Sequence, residues 1–295
     1  MDIRPRRSVL YMPGGNARAL EKARHLPADA LILDLEDAVA PEVKSEARDR
    51  VTAAVKSGGY GRREVVIRVN AMETPWGIAD LEAAIAAGPD AILVPKVSRP
   101  GDVISAGKIL AAKQAPARTR LWAMMESPAA ILNAGEIAAV VTDPASRLSC
   151  LVLGTNDLLK ETRARADDRR FAVTPWLATC VLAARAHGLD VLDGVYNDFK
   201  DEAGFRAECE HGRSLGMDGK TLIHPAQIAP CNDIFSPSKD EVAWSHAIIA
   251  AFERPENATK GVITLDGRMV ERLHLAIARR TVAITDAIAK LSEAA

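Results

Sequence analysis

Ala30-Leu31-Ile32-Leu33-Asp34-Leu35-Glu36-Asp37 is an apolar run that ends abruptly in acids. Four consecutive apolar residues without alternation suit a strand buried on both faces, which is the environment of a parallel sheet. Similar runs recur along the chain at Ser8–Met12, Ala30–Leu35, Glu64–Val69, Ala91–Val94, Leu121–Met125, Leu148–Leu153, Leu189–Leu192 and Gly219–Ile223. Between them lie stretches with helical periodicity, among them Ala17–His25, Glu42–Lys56, Gly77–Ala87, Asp102–Lys113, Ala129–Ala138, Trp176–His187 and Glu202–Leu215. Eight strand–helix units in succession predict an α/β fold, a closed (β/α)8 TIM barrel. An open doubly wound sheet is the alternative on pattern alone.

After about residue 238 the pattern changes. A helix over Lys239–Phe252 is followed by a loop at Arg254–Asn257, a strand-like stretch with an Asp266-Gly267 turn, and a last amphipathic helix from about Met269. The expected organisation is therefore a barrel over residues 1–253 and a C-terminal helical lid or oligomer contact over residues 254–295.

Composition narrows the function classes. The 295 residues are 48% hydrophobic, enough for a large core, and the net charge of -1 gives no global field to attract nucleic acid or an anionic membrane. No apolar stretch reaches the length of a membrane span, and the short run after the charged N-terminus is too brief for a signal peptide. Cys150, Cys180, Cys209 and Cys231 are scattered, with no C-x-x-C pair. Reduced thiols in a cytoplasmic protein are expected.

The informative feature is where the charges fall. Seven of the eight strands lead directly into polar residues: Asp34-Leu35-Glu36-Asp37, Arg68-Val69-Asn70, Pro95-Lys96, Glu126-Ser127, Gly154-Thr155-Asn156-Asp157, Asp193 to Asp198, and His224. In a barrel these ends converge on one rim, the usual place for catalytic groups. No histidine or cysteine pattern suits zinc. The donors are carboxylates, which suit Mg²⁺ with water and substrate oxygens completing its shell. Glu126 and Asp157 end adjacent strands and are the candidate pair, with Glu36 and Asp37 placed to hold metal-bound water. Lys96 beside so many acids reads as a protonated ion-pair partner rather than a Schiff-base nucleophile.

The segments Arg7–Gly14, Asp34–Val39, Arg68-Val69-Asn70, Pro95-Lys96-Val97, Glu126-Ser127, Gly154–Leu158, Asp193–Asp198 and Gly219–Gln227 resemble, in order, the citrate lyase beta subunit-like family, which includes malyl-CoA and citramalyl-CoA lyases. The resemblance implies a TIM barrel, often a homotrimer or a hexamer built from two trimers. It also implies that Glu126 and Asp157 ligate Mg²⁺, with Mn²⁺ as a substitute. Arg68 would contact the reacting oxygen, Gly154, Thr155 and Asn156 would receive the substrate carboxylate together with Lys96, and Glu36 and Asp37 would support the catalytic group. The C-terminal lid would reach a neighbouring subunit's site. There the family's Gly-x-Met-Ile/Val-Asp motif reads Gly267-Arg268-Met269-Val270-Glu271, so that the acid is one methylene longer.

The expected activity is Mg²⁺-dependent carbon–carbon lyase cleavage of a β-hydroxy acyl-CoA such as citramalyl-CoA or malyl-CoA. The products would be a 2-oxo acid, pyruvate or glyoxylate, and an acyl-CoA, with coenzyme A entering as part of the substrate. The alternatives are a malyl-CoA-type thioesterase, a CoA-independent class II 2-oxo acid aldolase, and a citrate lyase beta subunit working in a complex.

Overall fold

The computed structural model describes residues 3–165, 167 and 169–292, and the chain divides into two compact units. The larger one, Arg6–Phe235, is a closed barrel of eight parallel strands. They are β1 (Ser8–Pro13), β2 (Ala30–Asp34), β3 (Glu64–Arg68), β4 (Ala91–Val94), β5 (Arg120–Met125), β6 (Leu148–Leu153), β7 (Asp190–Asp193) and β8 (Gly219–Leu222). Neighbours in sequence are neighbours in space, and β8 pairs back onto β1.

Both faces of each strand are buried, which is why the runs are apolar rather than alternating. Val9, Ile32, Val66, Leu93, Trp122, Val152 and Leu192 form one cluster inside the barrel. Leu10, Leu31, Leu33, Ile67, Ile92 and Leu151 belong to a second cluster, shared with the surrounding helices. Successive residues alternate between the two clusters, as the pleat requires.

A charged plug closes the N-terminal mouth. Arg6 forks onto Glu64, with Nε 2.6 Å from Oε2 and Nη2 2.8 Å from Oε1, and also pairs with Asp190. Its guanidinium lies 5.0 Å from the Trp122 ring centroid.

The helical layer departs from expectation in three places. The helix expected over 129–138 is broken at Asn133 into Pro128–Leu132 and Ala134–Ala139. Helices Thr155–Thr162 and Ile228–Phe235, too short to stand out in the sequence pattern, follow the ends of β6 and β8.

The smaller unit comprises, among the described residues, 236–292 together with 3–5. Helix Lys239–Glu253 is followed by an antiparallel hairpin, β9 (Val262–Leu265) and β10 (Arg268–Glu271), and by helix Arg272–Ser292. Asp266 and Gly267 both have positive φ, 47° and 74°, as a two-residue hairpin turn demands. Met269–Glu271 are therefore strand, and the last helix starts at Arg272 rather than near Met269. Ile248, Ala251 and Phe252 pack with Ile263, Val270 and Leu275 in a core of their own. For that reason helix Lys239–Glu253 groups with the C-terminal segment, whereas the sequence pattern places it with the barrel. Among the described residues no helix is long and apolar enough to cross a membrane.

Replacing Arg6 with Ala removes the guanidinium that compensates Glu64, itself 1% exposed. Breaking a buried ion pair in this way costs about 3–5 kcal/mol. Urea unfolding of Arg6→Ala against the parent chain reads that loss, and an unchanged midpoint would show that the plug does not stabilise the barrel.

Candidate active site

At the C-terminal rim Arg68 is held from several sides. Its Nε and Nη2 donate to the two carboxylate oxygens of Asp34 at 2.6 and 2.7 Å. Its Nη1 lies 2.8 Å from Glu36 Oε2 and 3.3 Å from Asp37 Oδ2. The guanidinium sits 4.8 Å from the Tyr11 ring centroid. Asp34 also accepts from the backbone N–H groups of Glu36 (2.9 Å) and Ala38 (3.1 Å), so the loop after β2 folds around its carboxylate. The buried Lys44 ammonium donates to the carbonyls of Leu35 and Glu36 and fixes the same loop.

Across the rim, Glu126 follows β5 and is completely buried. Its Oε1 accepts from the Lys96 backbone N–H at 2.7 Å. Its Oε2 lies 3.2 Å from Lys96 Nζ, in a geometry that makes no directed hydrogen bond and leaves the oxygen without a hydrogen-bond partner. Asp157 Oδ2 lies 3.2 Å from the same Nζ. The carboxylates of Glu126 and Asp157 therefore meet at one point.

Two backbone features allow this approach. Lys96 adopts φ +56°, an uncommon conformation for a residue with a side chain. Gly154 lies against Glu126, and a Cβ added there would fall 2.4 Å from Glu126 Cβ and 3.0 Å from its Oε2.

The rim holds more acid than base. Asp34, Glu36, Asp37, Glu126 and Asp157 are five carboxyl groups in ion-pair contact with two cations, Arg68 and Lys96. Burial pushes the Glu36 carboxyl up to about 8; Arg68 opposes the rise, and Glu126, Asp37 and Asp34 add to it. Glu126 is also raised, by burial first, with Lys96 pulling the other way. Lys96 and Arg68 are both raised: burial works against each charge, and the surrounding acids, joined by Tyr11 at Arg68, outweigh it.

With Glu36 holding its proton, four carboxylates still outnumber the cations beside them, Arg68, Lys96 and the Lys44 ammonium on the loop after β2. Oxygen donors, a buried oxygen lacking a hydrogen bond and excess negative charge together fit a divalent cation. Among the described residues no group of three or more His, Cys, Asp or Glu side chains forms a fuller cage. Water and substrate oxygens would have to complete the shell, as is usual for Mg²⁺.

The remaining candidates divide. Thr155 and Asn156 open helix Thr155–Thr162, whose first-turn amides have no acceptor within the helix. The Asn156 and Asn197 side chains exchange hydrogen bonds of 3.2 and 2.9 Å. A cavity of about 600 Å³ opens beside them, walled also by Arg170, Tyr196 and Glu208.

Asn70 is engaged elsewhere, bonding the Leu35 carbonyl and Asp80. Asp193 faces away from the mouth and is gripped by Arg170 (2.6 and 2.8 Å) and Lys220 (3.1 Å). His224 accepts from the Ala226 N–H and stacks on Phe199, centroids 4.6 Å apart. Glu271 closes β10 in the C-terminal unit, where its N–H donates to His274 Nδ1 at 2.9 Å. Asp34 and Tyr11 were not foreseen as parts of the site. The alternation that puts Asp34 on the face of Glu36 was the available signal for the first; nothing in the sequence pointed to Tyr11.

The family model for HpcH/HpaI aldolase/citrate lyase matches residues 7–225. A (3S)-malyl-CoA thioesterase of Cereibacter sphaeroides is 52% identical over 97% of this chain and 96% of its own length. The citrate lyase subunit beta of Escherichia coli is 37% identical over 91% and 89%. Among solved structures, the protein CitE of Mycobacterium tuberculosis, in complex with magnesium, acetoacetate and coenzyme A, superposes with a TM-score of 0.74. It is 28% identical and covers 94% of this chain and 96% of its own.

The first of these relatives overturns the expected carbon–carbon lyase activity and favours thioester hydrolysis, the alternative. The physical reason is that both reactions can use the same acids, arginine and cation at the strand ends. They differ in whether water adds to the thioester, which no strand-end motif records.

Gly154→Ala forces Glu126 to shift, and a displacement of about 1 Å at a reacting centre can cost about 10²-fold in rate. Turnover should fall by that order and the melting temperature should fall with it, because the added Cβ overpacks a fully buried neighbour; full activity would show that the close approach is dispensable.

In metal-free protein, Glu36→Gln should remove a pH dependence. Because the folded-state value is raised from 4.5 to about 8, the parent loses stability relative to the variant as pH rises from 4.5 to 8 and stays level above that. The loss should be about 2–5 kcal/mol in denaturant titrations. Parallel curves would refute the assignment.

Proposed function

The chain belongs to the HpcH/HpaI aldolase/citrate lyase family of enzymes, and on that footing we propose that it hydrolyses the coenzyme A thioester of a hydroxy-dicarboxylic acid such as malyl-CoA. The 52% identity to a (3S)-malyl-CoA thioesterase along nearly the whole of both chains carries the reading. The rim supports it with a fixed guanidinium, a protonated carboxyl and a carboxylate pair suited to a divalent cation.

Glu126 and Asp157 would hold Mg²⁺, the ion present with CitE. The chemistry supplied by a bound ion is positive charge on substrate oxygens. The rest falls to the chain's own groups. Arg68, locked by Asp34, presents fixed positive charge to the thioester oxygen as it becomes anionic. The first-turn amides at Thr155 and Asn156 receive a substrate carboxylate. Water bonds through its oxygen to the thioester carbon, the carbon–sulfur bond breaks, and the sulfur leaves with the bonding electron pair. In the metal-free chain the Glu36 carboxyl is pushed up to about 8, and as a carboxylic acid it would give its proton to the departing thiolate. Glu271, reaching from a neighbouring subunit of a homo-oligomer, would accept the proton lost by the attacking water.

Purified protein incubated with (3S)-malyl-CoA and Mg²⁺ should release free CoA and malate in equal amounts, with no glyoxylate. Glu126→Gln should lower kcat/KM by about 10²-fold or more. Glyoxylate appearing in step with acetyl-CoA would reject hydrolysis, and full activity of Glu126→Gln would reject the metal assignment.

A further inference from the structure

Lys96 occupies an unusual position for a structural ion pair. Its ammonium lies 3.2 Å from a carboxylate oxygen of both Glu126 and Asp157, the point on which a shared cation would act. Among the described residues those carboxylates are its only ion-pair partners within 4 Å, and the side chain is 36% exposed. Leaving them breaks no third contact of this kind, and solvent gives the stem room to move. The backbone does not need the ammonium to keep its place, because the Lys96 N–H bonds Glu126 Oε1 independently at 2.7 Å. The strained φ of +56° fixes the start of the side chain at the rim whichever way its end points.

Two cations cannot share this point at low cost, since like charges a few ångströms apart repel strongly in a poorly hydrated pocket. A long, flexible ammonium is the one that can withdraw.

We propose that Lys96 is a resident counter-ion of the carboxylate pair, exchanged by the divalent cation and freed by that exchange to bind the carboxylate of an anionic substrate. The proposal rests on the reading of Glu126 and Asp157 as metal ligands. It makes metal and substrate binding cooperative: the ion releases the charge that the hydroxy-dicarboxylic acyl group then uses. Without metal, Lys96 neutralises the acids and is unavailable to substrate. The lysine is thus a positioning and specificity residue that favours dicarboxylic over monocarboxylic acyl groups.

Mn²⁺ binding to the full chain, followed by electron paramagnetic resonance, tests the exchange. Lys96→Met keeps the stem and removes the charge, and should bind Mn²⁺ about ten-fold tighter than the parent. At saturating Mn²⁺ it should bind L-malate about ten-fold more weakly. In the parent protein, acetylation of Lys96 by acetic anhydride, read by peptide mass spectrometry, should rise at least three-fold with Mg²⁺ and fall again when malate is added. This second measurement needs no variant to fold.

Equal Mn²⁺ affinity in parent and Lys96→Met, or Mg²⁺-independent acetylation in a parent that does bind the ion, overturns the counter-ion role and leaves the metal site standing. If neither protein binds Mn²⁺, the metal reading itself fails and takes this proposal with it.

Discussion

The rim depends on an electrostatic constraint: acids gathered at the mouth of a closed barrel are not balanced by the cations beside them. Asp34 is satisfied, since Arg68 grips both of its oxygens and two backbone amides add to the grip. Glu36 responds to burial and to its acidic neighbours by keeping its proton. Glu126 and Asp157 are left to share one lysine. A deficit of that kind is costly to bury, and the proposed chemistry would relieve it with a divalent cation.

The contrast with the other buried charges in the barrel sharpens the point. Under helix Glu202–Leu215, Asp193 and Glu208 face Arg170 and Lys220, two acids against two cations. Their charges cancel and their hydrogen bonds close on one another. Lys220 stays charged because Asp193 and Glu208 outweigh the cost of burying it. That cluster pins the outer layer to the end of β7 and calls for no ligand. Here the same types of residue as at the rim serve as scaffold.

The site also explains why hydrolysis and carbon–carbon cleavage are hard to separate within one family. Either reaction needs positive charge on a thioester or hydroxyl oxygen, a fixed guanidinium, and a group that moves a proton. What divides them is the admission of water to the thioester carbon. That depends on how closely the mouth is covered.

The barrel was legible in the sequence because burial on both strand faces imposes unbroken apolar runs, and these survive in any reading of residue order. The rim was legible for a related reason: a charge directly after such a run must lie at or just past a strand end, which identified Arg68, Lys96 and Glu126; Asp157, expected to end β6, lies instead in the first turn of the helix that follows. The hairpin turn at Asp266-Gly267 was legible because its backbone angles suit few residue pairs. Residue order could not give the directions and partners of side chains at equivalent strand ends. Asn70, Asp193 and His224 occupy such ends as Arg68 and Glu126 do, yet they bond to a helix, to an outer charge cluster and to a loop. Nor could it show that helix Lys239–Glu253 leaves the barrel for a separate core. Those outcomes follow from which apolar faces and which opposite charges meet across distant parts of the chain, and only the closed tertiary structure brings them together.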